Sequence, residues 1–146
     1  MSSDYVDMLA AAMATPGAHG LPGYLKLEPI YALVAEHGRE WPMGRDLSGG
    51  FDPLRPRECY ANAMTTALEH RLRYVEGWGE SSAVPGFWTQ HAWNVTDDDL
   101  VVDRTWGSGV RYVGMVVERA EVIRLAVRYS HETPLSALAR ERRPAK

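Results

Sequence analysis

Three side chains in the chain, Cys59, His91 and Asp103, have the types that together perform nucleophilic chemistry. A thiol attacks a carbonyl carbon as the thiolate, and the positive end of a helix dipole together with a neighbouring imidazole lowers the thiol pKa. The imidazole takes up the thiol proton most effectively when a third polar group holds it in one tautomer. These residue types therefore predict a Cys-His-Asp triad, provided that the fold brings the three side chains together.

A predicted hairpin supplies that proximity for two of the three. Strand-like runs over residues 91–96 and 100–105 contain His91 and Asp103, and the acidic segment 97–99 between them is typical of a tight turn. If the two strands pair antiparallel, both side chains can lie on one face of the sheet. A carboxylate among valines is costly without a partner, and an imidazole would remove that cost.

The remaining pattern predicts an α+β fold. Cys59 begins a predicted helix over residues 59–72, whose apolar residues recur at helical spacing. We expect one domain, residues 1–146, in which N-terminal helices and the cysteine-bearing helix pack on a mostly antiparallel sheet. The other predicted elements are helices over 4–14, 27–37 and 134–143, an irregular segment over 41–56, strands over 73–78 and 111–117, a turn at 79–82, and a segment over 118–127 that suits either a helix or a strand.

Four runs, taken in order, resemble the transglutaminase-like branch of the papain-like superfamily. In that family a cysteine at a helix N terminus is followed by a strand, then by a strand with histidine, often as His-x-Trp, and then by one with aspartate, often as Asp-x-Thr. The resemblance covers residues 57–114 and implies a papain-like core. The four runs are Glu58-Cys59-Tyr60-Ala61-Asn62-Ala63, Tyr74-Val75-Glu76-Gly77, His91-Ala92-Trp93 and Val102-Asp103-Arg104-Thr105-Trp106.

The resemblance also implies a role for each member of the triad. Cys59 would attack an amide or ester carbonyl to form an acyl-enzyme, His91 would hold and later donate the proton, and Asp103 would orient the imidazole. Papain places a glutamine upstream of its cysteine to stabilise the oxyanion, whereas the sole glutamine here is Gln90. The oxyanion site would instead use the Cys59 backbone N–H and a second donor, with Gln90, Asn62 or the backbone of segment 41–56 as candidates.

Three further side chains are candidates for contact with a substrate. Tyr60 follows the cysteine, Trp93 follows the histidine by two residues, and Trp78 ends the strand that precedes it. Aromatic residues at these positions suit a groove beside the thiol, but they equally suit the core of a small domain.

Composition restricts the class of partner. The formal net charge of −3, from 16 basic and 19 acidic residues, gives no electrostatic reason to expect a nucleic acid or a membrane surface. The sequence shows no secretory signal and no membrane span, so we expect a cytoplasmic protein. A single cysteine excludes an internal disulfide. We expect no metal, because the spacing of paired ligands for zinc is missing, and no other cofactor.

Two functions remain open at this point. The first is a cysteine-dependent hydrolase or acyltransferase acting on an amide in a peptide, an isopeptide or a glutamine side chain, so that a peptide or protein is its substrate. The second is a catalytically silent papain-like domain that binds a protein or a ligand, for example as a small phage or bacterial factor. Fold alone does not separate these two classes.

Overall fold

The computed structural model describes residues 3–143, and it is an α+β fold with one antiparallel sheet. The five strands are in the order β1-β5-β2-β3-β4, and every pairing within the sheet is antiparallel. The helices are α1 (Ser3–Ala14), α2 (Tyr31–His37), α3 (Cys59–His70), α4 (Arg119–Arg128) and α5 (Pro134–Glu141), with short 3-10 turns at Ala18–Gly20 and Gly23–Leu27. The strands are β1 (Arg39–Glu40), β2 (Arg73–Ser81), β3 (Trp88–Val95), β4 (Val101–Val102) and β5 (Gly109–Val117).

The predicted turn at residues 79–82 is wrong, because β2 continues to Ser81 and the chain reverses after it. Gly79 is paired with Thr89 on one side and Tyr112 on the other, so it is an interior position of the sheet. A Cβ atom at Gly79 would lie 2.7 Å from the ring of Trp106. The glycine therefore makes room for an aromatic ring on the sheet, which is a packing role that a turn prediction cannot detect.

The predicted strand over 100–105 is shorter than expected. Only Val101–Val102 pair with β3, and the chain leaves the sheet at Asp103. There the Asp103 side chain accepts hydrogen bonds from the backbone N–H groups of Thr105 and Trp106, both at 2.9 Å. Aspartate often bends the backbone in this way, since its carboxylate competes with a strand partner for N–H groups.

Two hydrophobic clusters lie on opposite faces of the sheet, as the alternation of side chains along a strand requires. On the first face the helices cover Tyr74, Trp78 and Ala92. On the second face Val75, Trp93 and Tyr112 pack with Trp41. The segment over 118–127, which the sequence left open between helix and strand, is the helix α4 and belongs to the first cluster.

The irregular segment over 41–56 is tied to the second face at several points. The Trp41 indole Nε1 donates to the Gly114 carbonyl at 3.0 Å, and the Asp103 backbone N–H donates to the Leu47 carbonyl at 2.6 Å. Segment 41–56 thereby covers the sheet where Asp103 leaves it, and it satisfies backbone groups that no strand pairs.

The helix α3 lies on the first face and is fixed to β3. Its Ala63 carbonyl accepts a hydrogen bond from the Asn94 side chain at 2.9 Å. Within the described residues, β4 pairs with β3 only at Asn94 and Val95. The outer edge of β3 before Asn94 is therefore open to the N terminus of α3, which begins with Cys59.

Gly77, at the centre of the sheet, tests this packing. A Cβ atom there would lie 2.2 Å from the Val113 carbonyl oxygen and 2.5 Å from the Gly114 Cα, and both are backbone atoms that cannot rotate away. We expect Gly77→Ala to lower the free energy of unfolding by about 1–3 kcal/mol or more, measured by urea denaturation. Gly107→Ala is the control, since a Cβ at Gly107 meets nothing within 4 Å. Equal stability of the two variants would contradict this packing.

Candidate active site

A buried hydrogen bond joins the predicted histidine and aspartate. His91 Nε2 lies 2.8 Å from Asp103 Oδ2, and each side chain is only 1% exposed. The nearby Arg104 donates to the Asp52 carbonyl and Arg111 to the Glu40 carboxylate, so neither is the partner of Asp103. The sequence therefore identified the pair correctly as neighbours, although Asp103 follows β4 and is not within it.

The Asp103 carboxylate accepts four hydrogen bonds. Its Oδ2 accepts from the Tyr112 hydroxyl at 2.7 Å in addition to His91, and its Oδ1 accepts from the Thr105 and Trp106 backbone N–H groups. Burial acts to raise the pKa of Asp103, but these hydrogen bonds and the nearby imidazole outweigh it, so the pKa is lowered. The carboxylate is therefore ionised at neutral pH. An ionised carboxylate can only accept, which places a hydrogen on His91 Nε2.

Two aromatic side chains complete the surroundings of the imidazole. The Trp106 ring stacks on the His91 ring with 3.6 Å between centroids and 8° between planes, and the Tyr112 ring lies 6.2 Å away. Sequence reasoning assigned no role to either residue. The sequence feature that points to Trp106 is its place at the end of the run that carries Asp103. For Tyr112 it is the strand alternation of β5, which places this residue on the second face with His91.

Cys59 is the first residue of α3 and is half-buried. The backbone N–H groups of Ala92 and Tyr60 face its sulfur, and Ala92 is the residue directly after His91. Burial raises the pKa of the Cys59 thiol, and the negative carboxylates of Asp103 and Glu76 add to the rise, while the two N–H groups oppose it. The sequence predicted a lowered thiol pKa from the helix dipole, so the environment of the free thiol differs from that expectation.

An imidazole held by an ionised carboxylate is a suitable proton acceptor for a thiol. Asp103 occupies Nε2 of His91, so Nδ1 is the ring nitrogen left for a proton, but within residues 3–143 the structure shows no hydrogen bond between the Cys59 sulfur and the His91 ring. The same carboxylate that disfavours a lone thiolate stabilises an imidazolium.

Three of the other predicted site residues have structural positions. The Asn62 amide donates to the Arg55 carbonyl and to the Thr105 hydroxyl, both at 2.8 Å, so its two N–H bonds are used. Trp78 is 1% exposed in the first cluster. Trp93 is 1% exposed in the second cluster, and its ring lies 6.0 Å from the His91 ring.

Gln90 and Tyr60 are more exposed than these three residues. Both are half-buried, and both interact with the buried carboxylate of Glu76, which also acts on the Cys59 sulfur. Burial, assisted by the charge of Glu76, raises the pKa of the Tyr60 hydroxyl far above its ordinary range. Of the predicted side-chain donors, Gln90 is therefore the one without a structural commitment as complete as that of Asn62.

A cavity of about 470 Å³ lies next to Asp103, between segment 41–56 and the turn that follows this residue. Trp106 lines this cavity and also stacks on His91, so the indole separates the imidazole from the open space. Residues 3–143 contain no group of three or more His, Cys, Asp or Glu side chains placed to hold a metal ion. No helix among them has the length and apolar character needed to cross a bilayer.

Comparison of the chain with protein-family models, with curated proteins and with solved structures gives no match.

The Tyr112 hydroxyl tests the charge of Asp103. We expect Tyr112→Phe to lower the free energy of unfolding by about 1.5–3 kcal/mol at pH 7, because it removes a hydrogen bond to a buried carboxylate. The folded-state pKa of Asp103 is depressed, so its bonds stabilise the protein above the ordinary value of 3.8 and lose their effect as the pH falls through the folded-state value. The cost of the substitution should therefore shrink as the pH falls below 3.8, as measured by urea denaturation.

Tyr129→Phe is the matched control, because it also removes a hydroxyl bonded to a carboxylate, Glu141, but at an exposed site. We expect a smaller loss of stability from it. A Tyr112→Phe effect as small as that of the control at pH 7 would contradict an ionised, buried Asp103.

Proposed function

We propose that the protein is a cysteine-dependent hydrolase or acyltransferase with a papain-like core, in which Cys59, His91 and Asp103 act on an amide. The observation that supports this proposal most is the buried bond from His91 to an ionised Asp103, together with a half-buried thiol at a helix start that meets the backbone of Ala92, the residue after His91. An oriented imidazole next to a nucleophile is the arrangement that acyl transfer requires.

Acylation begins with proton transfer from the Cys59 sulfur to His91 Nδ1. The thiolate forms an S–C bond to the carbonyl carbon, and the electron pair of the C=O bond moves onto oxygen. When this oxyanion collapses, the C–N bond breaks and His91 gives its proton to the departing amine. Asp103 keeps its charge throughout, holding Nε2–H and stabilising the imidazolium between the two transfers.

Deacylation repeats the sequence with a second nucleophile. Water or an amine loses a proton to His91 and attacks the thioester carbonyl, and the C–S bond breaks to release the acid or the new amide. The Cys59 sulfur leaves as a thiolate and regains its proton from His91. Water gives hydrolysis, and an amine gives acyl transfer, from the same set of side chains.

The geometry supports a substrate that approaches the site at the sulfur and not over the face of the imidazole that Trp106 covers. Cys59 is half-buried, whereas the His91 side chain is only 1% exposed and lies under the Trp106 ring. A carbonyl presented by an extended peptide or a glutamine side chain can reach such a sulfur. Because water is excluded from the His91 ring, its electrostatic contacts in the transition state are stronger than they would be in water.

A catalytically silent domain that binds a protein or a ligand is the second candidate. The observation in its favour is the raised pKa of the Cys59 thiol, caused first by burial, which leaves the sulfur protonated unless His91 takes the proton. In that case the His91–Asp103 bond serves stability alone. The two candidates differ in whether the thiol forms an acyl adduct.

Stopped-flow acylation by p-nitrophenyl acetate separates them. We expect a burst of one p-nitrophenolate per protein, absent in Cys59→Ala. His91→Ala should slow acylation by about 10²–10⁴-fold through loss of the proton acceptor. Asp103→Asn should slow it as well, because the amide no longer stabilises the imidazolium.

His131→Ala is the control, since His131 lies on an exposed turn between α4 and α5. It should retain the wild-type burst. Acylation that is equally slow in wild type and His91→Ala would leave the binding candidate standing and exclude the enzyme.

A further inference from the structure

The pairing of β4 shows which backbone groups of β3 point to the outer edge of the sheet. The N–H groups of Val101 and Asp103 donate to carbonyls of segment 41–56, away from β3. Val102, which lies between them, therefore faces β3, and its partner Asn94 faces β4. Because alternate residues of a strand face the same side, every even-numbered residue of β3 directs its N–H and C=O outward.

The two ends of this edge have partners, and the middle is open. Asn94 pairs with β4, and the Trp88 N–H donates to the Tyr24 hydroxyl at 3.2 Å. Gln90 lies between them and is half-buried. Within residues 3–143, no backbone or side-chain group is bonded to its N–H or its C=O. Gln90 therefore offers an unused donor and an unused acceptor on the main chain.

The helix α3 runs parallel to β3. Only residues 71–72 connect α3 to β2, so the chain reverses there and the helix runs antiparallel to that strand. β2 is in turn antiparallel to β3. A step back along α3 is therefore also a step back along β3.

This direction places the thiol beside the open part of the edge. The Asn94 side chain donates to the Ala63 carbonyl, and one turn back from Ala63 is Cys59, the first residue of α3. One helical turn rises about 5.4 Å, and two strand residues span about 6.6 Å, so Cys59 lies opposite Ala92. The Ala92 N–H accordingly faces the sulfur. Gln90 comes two residues before Ala92, beyond the start of the helix, so α3 does not cover its backbone.

We propose that an extended peptide binds to the outer edge of β3 as an added strand and pairs with the backbone N–H and C=O of Gln90. This inference rests on the proposed function and names its substrate class, a carbonyl flanked by extended main chain. Addition of a strand to an open sheet edge is a recurring mode of peptide recognition. Because Cys59 lies opposite Ala92, the reacting carbonyl lies about two residues along the peptide from the residue that pairs with Gln90.

The neighbours of Gln90 limit the length of this pairing. Tyr24 already accepts from the Trp88 N–H, and α3 begins opposite Ala92, so one peptide residue makes both main-chain bonds. Recognition is then largely independent of the side chain at that position. A proline there is excluded, because its nitrogen carries no hydrogen for the Gln90 carbonyl.

Two esters separate main-chain pairing from thiol reactivity. The p-nitrophenyl ester of N-acetyl-trialanine carries peptide amides, whereas p-nitrophenyl acetate has the same leaving group and no amide. Both acylate the same sulfur. The ratio of their acylation rate constants at Cys59 therefore reports contacts with the peptide backbone and cancels changes in the thiol.

We expect Gln90→Pro to lower this ratio about 3–10-fold, the value of one hydrogen bond, because proline removes the N–H. Proline is tolerated on an edge strand where the N–H faces outward, so the pairing with β2 should persist. Gln90→Ala is the matched control: it removes the same side chain, keeps the N–H and should keep the wild-type ratio. Methylation of the three peptide nitrogens in turn should slow acylation of the wild type by a similar factor at one position.

Each outcome decides a different claim. Acylation of the wild type by both esters, at a ratio that neither Gln90→Pro nor methylation lowers, would overturn the edge site and leave the proposed function standing. An equal fall in Gln90→Ala and Gln90→Pro would assign the effect to the side chain and overturn main-chain pairing. No burst with either ester would overturn the proposed function, and the substrate site would fail with it. If Gln90→Pro does not fold, the methylated esters decide with the wild-type protein.

Discussion

A single buried charge, the carboxylate of Asp103, determines how the rest of the site is arranged. Burying a carboxylate away from water is expensive unless every lone pair finds a donor. This one has four donors, from an imidazole, a phenol and two backbone N–H groups. Satisfying them ends β4 early, bends the chain into the turn that holds Trp106, and orients His91.

The sheet then carries the candidate residues on its two faces. The imidazole, Trp93 and Tyr112 lie on the second face, while α3 packs on the first. Because β4 leaves most of the outer edge of β3 open, the start of α3 reaches that edge and its cysteine faces the Ala92 N–H. A longer β4 would cover this edge, so the short strand and the accessible thiol have the same cause.

Residue types and order were enough to predict the α+β class, the antiparallel hairpin, and the His91–Asp103 pair. These features depend on local alternation and on the cost of an isolated carboxylate, both of which are visible in the sequence. The extent of β2 was not predictable, because glycine is typical of turns and the sequence does not show that the ring of Trp106 lies on Gly79. The raised pKa of Cys59 also escaped prediction, since it depends on burial and on Glu76, a residue distant in sequence.

The proposed function requires that Cys59 pass its proton to His91 in a site anchored by Asp103. Nitrogen-15 NMR of the His91 ring near neutral pH tests it directly, with Cys59→Ala as the reference. We expect both ring nitrogens to be protonated in the wild type, and only Nε2 in Cys59→Ala. A wild-type ring that is neutral, with the same spectrum as the variant, would contradict the ion pair and leave His91 as a structural partner of Asp103.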